Sequence, residues 1–223
     1  MICYHVLTIF PELFDRFLTT SLIGKAHETK IFAFNVVNIR DFTTDKHHQV
    51  DDEIYGGGPW LLMKAEPIIN ALQSIQQKFK SKKIAVIMPS PSECCFDQSL
   101  AHTFANDCID IVFICGRYEG IDHRVELRCK KEFWQNFYKL SLGQYVTMGG
   151  ELPTQVMIEA ISRLVPGVIQ DAQSRQQESY RPELGGTNIE HPQYTRPQKI
   201  AWFEVPEVLL NWHHEQIAQR KKK

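Results

Sequence analysis

This chain of 223 residues is predicted to fold as an α/β domain, on three observations. β-rich runs alternate with amphipathic helical stretches from residue 3 to residue 165, as they do in α/β domains. Two of the runs, 84–88 and 109–114, are apolar except for Asp110 and read as short buried strands. Glycine-containing loops follow strand-like runs at three places, and open α/β sheets bind ligands at the carboxyl ends of their strands.

The elements follow in order. Residues 3–10 read as the first strand, and Pro11 opens a short helix, because a first helical turn tolerates the missing N–H of proline. Residues 32–39 (FAFNVVNI) are β-rich. Pro67 begins an amphipathic helix with Ile68, Ile69, Leu72 and Ile75 on one face. The strand at 84–88 ends at Pro89-Ser90-Pro91. Residues 97–105 read as a helix, and the strand at 109–114 leads into Cys115-Gly116. After Gly149-Gly150 a helix is expected from Pro153 to Val165, burying Val156, Met157, Ala160, Ile161 and Leu164. Residues 167–197 lack periodicity and are rich in Gln, Arg, Pro and Gly, which marks a linker; loops of that length are functional or mobile. A last amphipathic segment, 206–219, carries Val208, Leu209, Trp212 and Gln216. No internal repeat is present.

Composition narrows the class of function. With 43% hydrophobic and 23% charged residues, a disordered or fibrous chain is excluded. No apolar run reaches the roughly 18 to 20 residues of a membrane span. The amino terminus lacks the basic region of a secretory leader, so a cytoplasmic protein away from membranes is expected. The six cysteines form no C-x-x-C pair, and vicinal Cys94-Cys95 is a poor metal-ligand spacing, so reduced thiols are expected. A net charge of −1 is unlike a surface that grips nucleic acid everywhere. From residue 161 onward, nine Lys/Arg stand against seven Asp/Glu, and the chain ends in Lys221-Lys222-Lys223, a weak sign of an anionic partner. The adjacent pairs His47-His48 and His213-His214 point apart on a helix or strand and read as solvated surface.

The glycine loops are YGGGP (55–59), CGRYEG (115–120) and LGQYVTMGGELP (142–153). Each alone is weak, since glycine serves turns more often than ligands. None has the dinucleotide-binding G-x-G-x-x-G or a phosphate loop with its lysine. Three at strand ends point to a flat, polar ligand approaching backbone that carries no Cβ. CGRYEG adds Arg117, Tyr118 and Glu119, where a plain corner needs none of them.

Five stretches stand in a telling order and spacing: DFTTDKHHQVDDEIYGGGP, CGRYEGID, GQYVTMGGELP, ISRLVPGV and HPQYTRP. Together they resemble the bacterial tRNA (guanine-37-N1)-methyltransferases, the TrmD family of the SPOUT superfamily, from the first strand to about residue 217. The resemblance implies a SPOUT methyltransferase domain with a parallel sheet and a deep trefoil knot (residues 1–166). An interdomain linker (167–197) and a shortened helical tRNA-binding segment (198–223) follow. It also implies S-adenosyl-L-methionine as methyl donor, magnesium at a position the sequence does not fix, and the anticodon arm of tRNA as partner. A homodimer is expected, with each site built across two subunits.

The family pattern implies roles as well. Gly116 and Tyr118 form one wall against the cofactor. Met88, Pro89 and Ser90 offer backbone groups to its adenosine part, and Leu142, Tyr145, Thr147, Gly149 and Gly150 complete the adenine slot. Glu119 faces both cofactor and guanine. Guanine N1 carries a proton that a base must remove as the methyl arrives, while charge developing on O6 calls for a fixed cation. Arg163 matches the arginine at O6, and Glu178 stands where the family has its aspartate base.

Departures from the pattern are few. Glu178 is one methylene longer than aspartate, and a base displaced by about 1 Å can lose roughly a hundredfold in rate. Trp60 follows YGGGP where the family keeps a small residue. Residues 92–96 (SECCF) replace a polar, glycine-containing turn, Gln144 replaces an acidic residue, and Glu190 replaces a second linker aspartate. About four extra residues lie within 181–188. Only residues 206–220 stand for the family's final helices, which predicts weaker tRNA binding. Two alternatives follow: a degenerate relative that binds cofactor or RNA without turnover, and a SPOUT enzyme acting on another RNA.

Overall fold

The computed structural model describes residues 1–79, 82–169 and 178–210. Its strands are β1 (Ile2–Thr8), β2 (Phe32–Asn38), β3 (Asp51–Glu53), β4 (Leu61–Met63), β5 (Ile84–Pro89), β6 (Asp110–Ile114), β7 (Phe137–Leu140), β8 (Lys199–Ile200) and β9 (Phe203–Glu204). Its α-helices are α1 (Asp15–Thr19), α2 (Ser21–Glu28), α3 (Ala65–Gln76), α4 (Gln98–Asp107), α5 (His123–Phe133) and α6 (Glu151–Ser162). The chain divides into two units, Met1–Gln170 and Asp171–Lys223.

In the first unit, five strands form one sheet in the order β2-β1-β6-β5-β7, and every pairing is parallel. Side chains alternate between its faces. Tyr4, Val6, Ala85, Ile87, Ile111 and Phe113 pack on one face with Phe104 of α4 and Met157, Ile158 and Ile161 of α6. Leu7, Val86, Val112 and Ile114 pack on the other with Ile68, Leu72 and Ile75 of α3 and Val125 and Cys129 of α5. Both faces are covered, so β5, and β6 after Asp110, read as apolar runs rather than alternating ones.

The expected α/β class with a central parallel sheet is therefore present, with differences in detail. Helix α3 starts at Ala65, which puts Pro67 inside its first turn, where no intrahelical N–H is needed. The expected burial of Val156 is corrected: it is 52% exposed, because α6 turns Pro153, Thr154, Met157, Ile158 and Ile161 inward at helical spacing and Val156 falls outside that stripe. The YGGGP loop is also corrected. It joins the antiparallel pair β3–β4 and does not end a strand of the main sheet. Helix α5 and strand β7 were not foreseen. In α5 the apolar stripe is only Val125, Cys129 and Phe133, set among seven charged or histidine side chains.

In the second unit, β8 and β9 form a small hairpin that pairs Lys199 with Glu204. Residues 178–190, expected as part of a linker without periodicity, are tied together by Asn188. Its carbonyl accepts from Tyr180 N–H at 2.7 Å, its Oδ1 accepts from Arg181 N–H at 2.7 Å, and its Nδ2 donates to Glu178 O at 2.7 Å. The expected helix at 206–219 enters as a 3-10 turn, Glu207–Leu209. Its remainder, His213-His214 and the lysine tail lie outside the described residues. Among the described residues no helix is long and apolar enough to cross a membrane. All six cysteines are free thiols.

Candidate active site at the carboxyl ends of the strands

Parallel strands end together, so the segments after β5, β6 and β7 converge on one edge of the sheet. Between them lies a cleft. Pro89 and Ser90 line it from β5, Gly116 to Gly120 from the β6 loop, and Leu142, Tyr145, Thr147, Gly149 and Gly150 from the β7 loop. Backbone bonds fix these walls to one another. Ser90 N–H donates to Leu140 O at 2.9 Å, and Gly150 N–H donates to Gly116 O at 2.9 Å. Strand β4 holds the β6 loop from its far side: Glu119 N–H donates to Leu61 O at 3.2 Å, and Met63 N–H donates to Gly120 O at 3.0 Å.

The double glycine has a steric cause. A Cβ on Gly150 would lie 2.9 Å from Cys115 Cα and 3.0 Å from Gly116 N, so only glycine lets the two loops touch. A Cβ on Gly149 would strike Arg117 Nε at 2.3 Å. Tyr118, which lines the cleft, holds a left-handed backbone, φ 58°, which is costly for an aromatic residue.

Arg117 performs a task the sequence did not disclose. Its Nε donates to Glu151 Oε2 at 2.8 Å, while Thr8 Oγ1 donates to Glu151 Oε1 at 2.8 Å. Glu151 is fully buried, and the Arg117 guanidinium lies 4.8 Å over the Phe10 ring. One carboxylate thus ties the β6 loop, the start of α6 and the end of β1 into a single frame. Nothing in the sequence distinguishes Glu151 from an ordinary acidic residue in a first helical turn. Thr8 is 143 positions away, and only the fold brings the two together. Close by, Cys115 Sγ lies 3.3 Å from Thr154 Oγ1; burial first, and then the Glu151 charge, push its thiol far above the usual range.

The structure places the expected residues unevenly. Glu119, Gly116, Tyr118, Pro89, Ser90, Leu142, Tyr145, Thr147, Gly149 and Gly150 all meet at the cleft. Met88 is buried in β5 just before it. Arg163 is exposed at the carboxyl cap of α6, and its N–H donates to Glu159 O. Twelve residues of helix separate it from Gly150, about 18 Å at 1.5 Å per residue. Glu178 belongs to the second unit, with its carbonyl held by Asn188.

Among the described residues, one group of metal-ligand type comes together: Cys3, His5 and Asp110, with ligand atoms within 4.8 Å of one another. It lies at the amino ends of β1 and β6, away from the cleft. Its sulfur and imidazole donors suit a soft or borderline ion and not magnesium, which takes oxygen ligands.

A glycine-walled cleft at the carboxyl edge of a doubly covered parallel sheet defines a ligand-binding α/β protein. Residues 2–223 match the family described as tRNA (Guanine-1)-methyltransferase TrmD. The tRNA (guanine-N(1)-)-methyltransferase of Carboxydothermus hydrogenoformans is 44% identical over 218 residues, covering 98% of this chain and 80% of that protein. That of Moorella thermoacetica is 41% identical over 217 residues, covering 97% and 82%. That of Thermomicrobium roseum is 43% identical over 220 residues, covering 98% and 77%. The chain belongs to the TrmD family and is a methyltransferase of it. The alternatives of a non-catalytic relative or of another RNA substrate are not favoured by these matches.

Proposed function

We propose that this enzyme transfers a methyl group from S-adenosyl-L-methionine to N1 of guanine at position 37 of tRNA, just 3′ of the anticodon. The observation that carries this reading is the glycine-walled cleft at the strand ends, in a chain that matches the family over residues 2–223. When bound, S-adenosyl-L-methionine supplies an electrophilic methyl group. The residues present fit it, since Gly149 and Gly150 let the β7 loop close on Arg117 and Cys115-Gly116, which brings bare backbone to the cleft. Pro89, Ser90, Gly116, Tyr118, Leu142, Tyr145 and Thr147 would hold the ligand, with Met88 supporting from β5. Magnesium does not fit the one metal-type group among the described residues, and no step is routed through it.

The remaining chemistry belongs to side chains. Glu119 lies exposed on the cleft wall, where its carboxylate accepts from guanine N–H donors. Glu178 takes the N1 proton as general base, and the Arg163 guanidinium balances charge developing on O6. Arg163 stands about 18 Å along α6 from the cleft of its own chain. This separation supports a homodimer in which Arg163 and Glu178 of one copy serve the cleft of the other. Exposed Tyr145, Val146 and Met148 give the cleft an apolar rim that a second copy would cover. In this reading the segment after β7, pressed through Gly149-Gly150 against Cys115-Gly116, belongs to the trefoil knot. Residues 1–166 form the catalytic domain, 167–197 the linker and 198–223 the anticodon-arm segment. The enzyme works in the cytoplasm, where its tRNA is found.

The test is methyl transfer from labelled S-adenosyl-L-methionine to a transcribed tRNA with guanine at position 37. A matched adenine-37 transcript and Glu178→Ala are measured alongside. Guanine-dependent transfer that falls about 10²- to 10⁴-fold in the variant is expected for loss of a general base. Equal transfer to both transcripts, or an unaffected variant, overturns the site or the base respectively.

A further inference from the structure

The β3–β4 turn, Tyr55-Gly56-Gly57-Gly58-Pro59-Trp60, has a form that the catalytic reading leaves unexplained. Gly56, Gly57 and Gly58 all take positive φ, at 99°, 87° and 123°, so the tip is bare backbone. A Cβ on Gly56 or Gly57 would meet nothing within 4 Å, so these glycines make no room for other parts of the described chain. Gly58 differs. A Cβ there would lie 2.6 Å from Trp60 Cε3, which means the indole lies directly against the glycine. The ring is braced by backbone on that side, yet the residue is 54% exposed, and Tyr55 at the other end of the turn is 97% exposed.

Position gives this aromatic its meaning. The next residue, Leu61, accepts the N–H of Glu119 through its carbonyl, so Trp60 stands one residue from the strand that braces the cleft wall. N1 lies on the pairing edge of guanine, so a guanine methylated there must leave its stack. Its neighbours are then unstacked, and aromatic faces hold such bases in single-stranded RNA. Net charge −1 gives this chain little phosphate neutralisation to draw on. Beside the hairpin, the cations Lys64 and Arg124 are already paired with Asp52 at 3.5 Å and Asp122 at 2.6 Å. Stacking needs no net charge.

We infer that Trp60 is a stacking platform for an unpaired base next to the target guanine, and so helps to position the RNA substrate. The inference rests on the tRNA-methyltransferase reading above.

The experiment compares wild type, Trp60→Ala and Trp60→Phe. Each is titrated with an anticodon stem-loop RNA and with versions made abasic in turn at each nucleotide flanking the guanine. S-adenosyl-L-methionine affinity and thermal midpoint are controls. Expected is a loss of RNA affinity of about 5- to 100-fold in Trp60→Ala, substantial rescue by Phe, and unchanged cofactor affinity. At one flanking position the abasic penalty seen in wild type should vanish in Trp60→Ala. If wild type binds the RNA and Trp60→Ala binds it equally well, or keeps every abasic penalty, the stacking role is overturned while the enzyme reading stands. A wild-type chain that binds cofactor but no RNA overturns both.

Discussion

The two ends of the parallel sheet each bury a carboxylate, and the two are put to different use. At the carboxyl end, Glu151 joins Arg117 of the β6 loop and Thr8 at the end of β1. At the amino end, Asp110 accepts from His5 Nε2 at 3.0 Å, while His5 Nδ1 accepts from Asn35 Nδ2 at 3.1 Å. These last three residues sit on the neighbouring strands β6, β1 and β2, with the Phe79 ring edge-on to the imidazole. Burial is alike, 0% exposed for Glu151 and 1% for Asp110. The difference lies in strand direction. Loops leaving the carboxyl ends carry the cleft walls, so a buried charge there sets the shape of the cleft. The buried carboxylate at the amino end links side chains of neighbouring strands. A buried polar cluster is therefore not by itself a mark of function.

The largest expected effect breaks the cleft end. Glu151→Ala leaves a partly buried guanidinium and the Thr8 hydroxyl without their shared partner, at a cost of about 3–5 kcal/mol in stability. Because Arg117 also lines the cleft, S-adenosyl-L-methionine affinity should fall with it. Glu151→Gln keeps an acceptor for Thr8 and should recover most of the fold but less of the cofactor affinity. Calorimetric titration of both variants, read beside their thermal midpoints, separates the two losses. Cofactor affinity untouched in Glu151→Ala would mean that the frame does not hold the walls.

Asp110→Ala tests the opposite end and should be smaller in consequence. Loss of the His5 partner costs about 2–4 kcal/mol of stability, an effect visible in denaturant unfolding. Methyl transfer per folded molecule should stay at the wild-type level, measured well below the melting transition. A fall in turnover without a fall in stability would erase the contrast between the ends.

What the sequence disclosed follows the same line. The apolar runs of β5 and β6 were legible because strands buried on both faces cannot alternate, and two of the three glycine loops were legible as strand-end loops, while YGGGP proved to join β3 and β4. Helix α5 was not, since three apolar side chains spaced by four are lost among its charges. Glu151 was missed for another reason. Its chemistry depends on Arg117 and Thr8, and a contact across 143 residues leaves no periodic trace. Asn188 escaped similarly, since its hydrogen bonds to 178–181 depend on a loop conformation that composition describes only as linker. Trp60 was visible as an odd residue, but its bracing on Gly58 was not.

The smallest effect concerns the thiols, and it sharpens the comparison within the cleft end itself. Cys115 lies directly before Gly116 on the cleft wall, yet it is fully buried, contacts Thr154 Oγ1 and has its thiol pushed far up by burial and by Glu151. Cys129, on the buried face of α5, is pushed up to about 12 for the same leading reason. Cys94 and Cys95 are exposed in the loop that borders β7, with Cys94 O accepting from Ser141 N–H at 2.9 Å. The thiolate is the reactive form, so alkylation follows access and thiol acidity together. Brief treatment with iodoacetamide at pH 8, read by peptide mass spectrometry, should label Cys94 and Cys95 and spare Cys115 and Cys129. Methyl transfer should survive at that stage, because the labelled loop meets the cleft through backbone bonds and not through its sulfurs. Early labelling of Cys115 in native enzyme would show the Gly116–Gly150 contact opening on the experimental timescale. Glu151 would then hold together a wall that breathes, and its removal should speed Cys115 labelling further.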